Sequence, residues 1–225
     1  MEIGELLGSG RSADVYAVDG DRVLRRYREP LDARREVAVM AHVARHGFPV
    51  PDVYPGVGEG HATDLVMRRL SGPTMLRAAI DGEITPAEAG RVTARLLLRL
   101  HTIPALVSGD PRDRVLHLDL HPDNVLLTPD GPFVIDWCNS REGLPGQDCA
   151  MSALIMAQVA VDEENELAMP AREMLVALLG ELGGAMDYGD GLDQAKRTRG
   201  ANPTLSAREV ELIDAAGSLI RELSL

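Results

Sequence analysis

The sequence predicts an α+β fold in which a small, β-rich part over residues 1–69 precedes a mainly helical part over residues 70–225. Two observations lead to this division. Short apolar segments separated by tight turns fill the first part, which is typical of an antiparallel sheet. Longer segments with apolar residues every three or four positions fill the second part, which is typical of amphipathic helices. At 225 residues the chain is long enough to bury a full hydrophobic core.

The first part opens with a predicted glycine-rich loop between two strands. Leu7-Gly8-Ser9-Gly10 leads into a strand at Val15–Val18, a turn at Asp19-Gly20 and a second strand at Arg22–Tyr27. Glycines alone are a weak signal, because dinucleotide-binding folds use similar ones. Those folds open a helix after the loop, whereas this chain forms a hairpin, whose backbone amides can cover phosphates. Ala13 stands where a third glycine would be, which requires a loop without positive φ there.

The rest of the first part is predicted as one helix and two strands. Pro30–Gly47 has helical apolar spacing, and Gly47 suits the end of a helix. Val53–Tyr54 and His61–Arg68 are the predicted last strands. Together with the first hairpin, these segments complete the predicted β-rich part.

Four helices are predicted in the second part from their caps and apolar spacing. Thr85 begins the first with Pro86 at its first position and Glu88 completing a capping box. The others begin at Asp148 (as N-cap, through Val161), at Pro170 (ending at Gly183-Gly184) and at Ser206 (through Ile220).

The composition limits the class of protein. Hydrophobic residues make up 45% and charged residues 26%, as in globular proteins. The net charge of −12 argues against a general nucleic-acid binder, because such proteins need a basic surface. We expect no membrane span, and the acidic start Met1–Glu5 is unlike a signal peptide. Cys138 and Cys149 fit small buried residues of a reducing compartment, so we expect a cytoplasmic protein.

The residues with the clearest chemistry lie between His117 and Asp136. His117-x-Asp119 is followed five residues later by Asn124, and two short strands around a tight turn then lead to Asp136. Phosphoryl transfer needs a carboxylate aimed at the attacking hydroxyl and two oxygen ligands for the magnesium ion that bridges the phosphates. Asp119 fits the first role, and Asn124 with Asp136 fits the second. The simpler alternative is a loop in which these residues only cap turns.

These motifs resemble the aminoglycoside phosphotransferase and choline kinase-like family and, more distantly, the protein kinases. The resemblance covers nearly the whole chain and weakens after about residue 160. It implies a bilobal protein-kinase-like fold with ATP and Mg²⁺ in the cleft. It also implies transfer of the γ-phosphoryl group to a hydroxyl of a small molecule, with Asp119 as base or orienter of that hydroxyl. The implied nucleotide-binding residues are Gly8, Ser9, Gly10, Val15, Val23, Arg25, Glu36 and Met67.

Arg25 takes the position of the lysine that kinases carry on the third strand. The only lysine of the chain is Lys196, far from this strand in sequence. Arg25 shares a strand face with Val23, and arginine can hold phosphate with two donors. The resemblance implies that Glu36 pairs with Arg25. Two alternatives stay open: Arg26 as the phosphate ligand, and Glu36 as a solvent-exposed helix residue.

Three more residues of the second part have two interpretations each. His117 is interpreted as holding the loop backbone, with acid–base work as the alternative. His121 lies where many protein kinases carry a lysine or arginine. It either donates a hydrogen bond to the transferred phosphate or is a buried histidine that anchors Pro122. Asp148 suits an N-cap, and in the family an aspartate here also braces the catalytic loop.

The sequence narrows the chemical class of the phosphate acceptor only in part. Residues Asp162–Asp193 hold nine acids and one base, which either steer a cationic acceptor, such as an amino sugar, aminoglycoside or amino alcohol, or form a solvated face. A protein kinase is the first alternative, but only eleven residues separate Asp136 from Asp148, too few for a peptide-binding segment. A nucleotide-binding pseudokinase, suggested by Arg25 and Ala13, is the second.

Overall fold

The computed structural model describes residues 2–10, 12–28, 33–55, 62–183 and 190–224. The chain divides into two compact units. The sequence predicts one boundary after residue 69, whereas the first unit runs to Gly72 and also takes in Leu126–Cys138. The second unit comprises Pro73–Val125 and Asn139–Leu225. Four residues named in the predictions lie outside the described ranges, Met1, Pro30, His61 and Gly184, and so does Asp187, one of the nine acids of Asp162–Asp193.

An antiparallel sheet forms the frame of the first unit. Its four strands follow one another in chain order: β1 (Leu6–Ser9), β2 (Ala13–Ala17), β3 (Arg22–Tyr27) and β4 (Asp64–Arg68). The predicted hairpin at Asp19-Gly20 is therefore confirmed. Val15, Arg25 and Leu65 are partners across three strands, so their side chains lie on one face of the sheet.

The predicted strand at Val53–Tyr54 is wrong. Only a single bridge forms, between Val53 and Met67. Pro51 and Pro55 flank this segment, and proline has no N–H to extend a ladder. The predicted helix of this unit is present as α1 (Ala33–Arg45), and Gly47 beyond its end has a positive φ of 75°.

A second hairpin precedes Asp136. Strand β6 (Val125–Thr128) pairs with β7 (Gly131–Val134), as predicted from the turn residues between them. Gly131 has a φ of 107°, which favours glycine at this point of the turn. Hydrogen bonds hold the hairpin within the first unit, since the Val134 amide donates to the Pro49 carbonyl at 2.9 Å.

Helices form most of the second unit. They are α2 (Met75–Ile80), α3 (Pro86–Leu100), α4 (Pro145–Ala160), α5 (Ala168–Leu182), α6 (Gly191–Gly200), α7 (Ala207–Glu211) and α8 (Ile213–Leu223). Short strands β5 (Arg114–Leu116) and β8 (Arg141–Gly143) pair antiparallel. Helix α4 packs against α5, α6 and α8, and it is apolar on nearly every side, as a central helix must be. None of the described helices is long and apolar enough to cross a bilayer.

The helix starts agree with the sequence where a side chain caps them. Thr85 accepts a hydrogen bond from the Glu88 amide at 3.1 Å, and Ser206 forms the predicted capping box with Glu209. The helix after Ser206 is interrupted at Leu212, which separates α7 from α8. Helices α2 and α6 are not predicted by the sequence patterns above.

The prediction that Asp148 caps α4 is wrong. The helix begins at Pro145, a residue that suits the first helical position, and Asp148 lies inside the first turn. Its side chain is fully buried and serves another purpose, described below.

Candidate active site

Asp148 holds the backbone of the loop that carries Asp119. The Asp148 carboxylate accepts hydrogen bonds from the backbone amides of His117 (2.9 Å) and Leu118 (2.7 Å) and lies 3.0 Å from His101 Nε2. Burial by itself would raise the pKa of Asp148, but the His101 and loop hydrogen bonds outweigh it and lower that pKa. The carboxylate is therefore charged at neutral pH. It holds a strained loop, because Leu118 has a positive φ of 61°.

The predicted catalytic-loop residues of the second unit lie together. The Asn124 side-chain nitrogen donates to the Asp119 carbonyl at 2.9 Å and lies 3.4 Å from the Asp119 carboxylate. It is also 3.2 Å from His121 Nε2. The amide nitrogen of Asn124 thus contacts the loop, and the amide oxygen is the atom of this side chain that can bind a cation.

The two loop histidines differ in their surroundings. His117 is buried, and its Nδ1 lies 3.3 Å from the Asp119 amide, which donates to it. This contact favours the interpretation that His117 holds the loop backbone. Burial lowers the pKa of His121 although the carboxylates of Asp119 and Asp123 act in the opposite direction. Whether His121 contacts a transferred phosphate stays a prediction.

Two neighbours of Asp119 are absent from the sequence prediction. The Arg199 Nη1 on α6 lies 3.9 Å from Asp119 Oδ1, and the Asn139 side-chain nitrogen lies 3.5 Å from Asp119 Oδ2. Asn139 follows Asp136 by three positions, so its closeness to the motif is a usable sequence signal. Arg199 follows Asp119 by 80 positions, and no pattern in the sequence points to it.

Arg25 and Glu36 pair in the first unit. Arg25 is 7% exposed; its Nη1 lies 3.4 Å from Glu36 Oε1 and its Nη2 donates to Asp136 Oδ1 at 2.5 Å. Arg26 instead pairs with Asp64 at 2.7 Å, on the opposite face of the sheet. The geometry therefore brings Arg25, and not Arg26, to Asp136.

Glu36 is buried, which excludes the solvent-exposed alternative. Besides Arg25 it accepts hydrogen bonds from the Tyr27 hydroxyl and from the Trp137 amide, the latter at 3.1 Å. Burial raises the pKa of Glu36, and the guanidinium of Arg25 opposes that rise. Burial would lower the pKa of Arg25, but the carboxylates of Asp136 and Glu36 outweigh it and raise that pKa. A permanently charged arginine therefore lies between two acidic side chains.

The backbone around Asp136 is constrained. Asp136 has a positive φ of 65°, a conformation that non-glycine residues adopt mostly where the surroundings impose it. Its Oδ1 also accepts a hydrogen bond from the Cys138 thiol at 3.1 Å. Cys138 is only partly buried, unlike Cys149, and so differs from the buried residue that the sequence suggested.

The glycine-rich loop joins β1 to β2. The Gly10 amide donates to the Ala13 carbonyl at 2.9 Å, and Arg28 binds both Ser9 and Asp14 at 2.5 Å. A Cβ atom at Gly8 would meet no atom within 4 Å, so the backbone is uncovered there. Ala13, which stands where a third glycine would be, is part of regular β2. Its backbone therefore has no positive φ, as the sequence predicts.

The remaining predicted nucleotide residues lie on the sheet face of Arg25. Val15 is the register partner of Arg25, and Val23 is the partner of Met67. Since alternate residues of a strand share a face, Val15, Val23, Arg25 and Met67 lie on one side of the sheet. Their contact with a nucleotide stays a prediction.

The predicted magnesium ligands fit the ion by their chemistry. Asn124 belongs to the second unit and Asp136 to the first. Carboxylate and amide oxygens are ligands that Mg²⁺ accepts, usually with waters and substrate phosphates completing its shell. Within the described residues, no group of three or more His, Cys, Asp or Glu side chains forms a metal site made by protein alone.

The sequence profile of the phosphotransferase enzyme family (APH) matches residues 3–114 and 103–192. The chain belongs to the phosphotransferase enzyme family. No curated protein matches it.

Solved structures of phosphotransferases share its fold. An ethanolamine kinase from Plasmodium vivax has a TM-score of 0.63 and 12% identity, over 99% of this chain and 84% of that one. A choline/ethanolamine kinase family protein from Mesorhizobium loti has a TM-score of 0.55 and 18% identity, over 99% of this chain and 88% of that one. The APH(2'')-IIa ternary complex with streptomycin and ATP has a TM-score of 0.55 and 12% identity, over 88% of this chain and 84% of that one. The predicted protein-kinase-like α+β fold is thereby confirmed.

Proposed function

We propose that this phosphotransferase transfers the γ-phosphoryl group of ATP to a hydroxyl of a small molecule, with magnesium. The observation that carries the proposal is the Asp119 loop, in which a carboxylate and Asn124 are held on a backbone that the buried Asp148 fixes. Loose phosphoryl-transfer transition states are catalysed mainly by positioning and charge, and a rigid loop supplies the positioning. ATP as donor is supported by its presence in the APH(2'')-IIa complex.

In this reaction Asp119 accepts a hydrogen bond from the acceptor hydroxyl and orients its oxygen for attack. Asn124 and Asp136 would hold the magnesium ion, which neutralises phosphate charge when bound. His121, two residues after Asp119, is a candidate donor to the transferred phosphate. The side-chain nitrogen of Asn139 lies 3.5 Å from the same carboxylate.

The first unit would bind the nucleotide. The open space at Gly8 lets phosphate oxygens approach the backbone of the loop that holds Gly8, Ser9 and Gly10. Arg25 would add two donors, and its contacts with Glu36 and Asp136 hold its side chain in place. Val15, Val23 and Met67, on the same sheet face, would contact the nucleotide next to Arg25.

The acceptor is a small molecule because the chain after Asp136 has no room for peptide recognition. Residues Arg141–Gly143 form β8, which pairs with β5, and α4 begins at Pro145. The segment that would bind a peptide in a protein kinase is thus used within the second unit. One of the similar structures is named as an ethanolamine kinase, and ethanolamine is an amino alcohol. Another is a complex with streptomycin, an aminoglycoside.

The case for a strongly cationic acceptor is weaker than the acid count suggests. Three acids of Asp162–Asp193 pair with arginines from outside that segment: Asp162 with Arg208 at 3.0 Å, Glu181 with Arg95 at 3.8 Å and Asp193 with Arg221 at 3.2 Å. Neutral acceptors therefore belong in any screen beside cationic ones.

The test is an acceptor screen with ATP and magnesium, covering amino alcohols, amino sugars, aminoglycosides and macrolides beside neutral sugars and alcohols. ADP release and the phosphorylated product are measured together. Asp119→Asn should keep ATP affinity and lower turnover at least about a hundredfold. Asp123→Asn is the matched control, because Asp123 is exposed in the same loop. ATP binding without any transfer, or full turnover by Asp119→Asn, would make the protein a pseudokinase or remove Asp119 from the reaction.

A further inference from the structure

Arg199 is a charged residue beside Asp119 with no place in the sequence motif. Its Nη1 lies 3.9 Å from Asp119 Oδ1, and its side chain is only 13% exposed. It belongs to α6, near the end of that helix. We infer that Arg199 is a positioning residue that holds the Asp119 carboxylate in the orientation needed for phosphoryl transfer. This inference rests on the proposed function.

The contacts of the Asp119 carboxylate with neighbouring nitrogens are long, and Arg199 differs from the amide donors among them in its permanent charge. The two oxygens of Asp119 lie 3.4 Å from the side-chain nitrogen of Asn124, 3.5 Å from that of Asn139, 3.9 Å from Arg199 Nη1 and 4.0 Å from His121 Nε2. Neutral hydrogen bonds weaken steeply at such distances, whereas attraction between opposite charges falls only with the inverse of distance. Arginine is charged at every physiological pH. Arg199 is therefore the neighbour best able to restrain the carboxylate.

Arg199 is itself held by side chains of two other helices. Its Nε donates to Gln158 Oε1 of α4 at 2.7 Å, and its Nη2 lies 3.9 Å from Glu209 Oε1 of α7. Gln158 also donates to the Glu209 carbonyl at 2.6 Å, which joins the two anchors. Glu209 is fixed in turn by its capping box with Ser206. The guanidinium is thus oriented before any substrate binds.

A purely structural role is the alternative, since Arg199 also connects three helices. The two roles differ in what they affect. A structural residue changes stability and all kinetic parameters together, whereas a positioning residue changes turnover with little effect on ATP binding. A positioning residue also loses its effect when the side chain that it positions is already removed.

The experiment compares Arg199→Gln with Arg197→Gln, its exposed neighbour on the same helix. ADP release from magnesium–ATP is measured with water as the only acceptor, and magnesium–ATP affinity is measured by calorimetry. Arg199→Gln should lower kcat about tenfold to a hundredfold, the usual cost of a misplaced reactive group, and leave the affinity within about twofold. Arg199→Lys should recover part of kcat, and Arg197→Gln should match the parent. In an Asp119→Asn background, Arg199→Gln should cause no further loss.

Unchanged kcat in Arg199→Gln, or an equal loss in the Asp119→Asn background, would overturn the inference. A parent protein that releases no ADP would count against the proposed function instead. In that case crystal structures of the parent and of Arg199→Gln decide the matter separately. A displaced or disordered Asp119 carboxylate in the variant supports positioning by Arg199, and an unchanged carboxylate refutes it.

Discussion

Asp148→Asn tests the contact that fixes the Asp119 loop. The variant keeps the size of the side chain but replaces a carboxylate that accepts from two backbone amides and contacts His101. An amide group placed there turns at least one acceptor into a donor facing another donor. Hydrogen bonds to a buried charge contribute about 1.5–3 kcal/mol each, and removing one partner of a buried pair costs about 3–5 kcal/mol. We expect the free energy of unfolding to fall by about 3–5 kcal/mol.

The loss should depend on pH in a defined direction. The pKa of Asp148 is lowered in the folded protein, so its contribution to stability is fully present above the unfolded pKa of about 3.9. That contribution is lost as the pH falls through the lower, folded pKa. The stability difference between parent and Asp148→Asn should therefore be constant near neutral pH and shrink at pH values below about 4.

Thermal unfolding followed by far-ultraviolet circular dichroism measures the effect. In a chain of this size 1 kcal/mol corresponds to about 2–4 °C, so Asp148→Asn should lower Tm by about 6–20 °C at pH 7. Asp193→Asn is the control, because Asp193 is an exposed partner of Arg221 and should change stability by about 0.5 kcal/mol at most. A Tm within about 2 °C of the parent would refute the claim that Asp148 carries the loop.

Three further predictions concern the first unit and the helix packing. Asp136→Ala should abolish the magnesium dependence of ATP affinity, measured by calorimetry with and without the ion; a parent that binds ATP equally in both conditions would contradict the metal assignment. Arg25→Lys should raise the KM for ATP at least about tenfold because one ammonium cannot replace two separate donors, whereas Arg26→Ala should lower Tm and leave that KM unchanged. A Cβ at Gly90 would lie 2.1 Å from a backbone oxygen of α5, so Gly90→Ala should lower stability by about 1–3 kcal/mol or more in urea unfolding, while Gly180→Ala, with open space around it, should raise stability by up to about 1 kcal/mol.

The sequence predicts those parts of the fold that depend on near neighbours. The hairpin at Asp19-Gly20 and the capping box at Ser206 follow from local turn and cap chemistry. The period of two in a strand places Arg25 and Arg26 on opposite faces, and the structure agrees. The spacing of Asp119 and Asn124 is likewise local, since the loop between them brings both side chains together.

Elsewhere local rules misled because distant groups compete with them. Asp148 has the chemistry of an N-cap, yet the amides of His117 and Leu118, about thirty residues earlier in the chain, are better served by its carboxylate inside the core. Val53–Tyr54 has strand-like residues, but the prolines on both sides limit it to one bridge.

The tertiary structure alone decided the charge environment of the site. The acid count over Asp162–Asp193 could not show that arginines from other segments pair with three of those acids. The sequence also could not show that Arg199 lies near Asp119, because the packing of helices brings the two residues together and they are far apart along the chain. The sequence by itself determined which residues are candidates for the chemistry and which strand face Arg25 and Arg26 occupy, since both depend on spacing along the chain. Their partners depend on contacts between residues far apart in sequence, and only the folded chain establishes those.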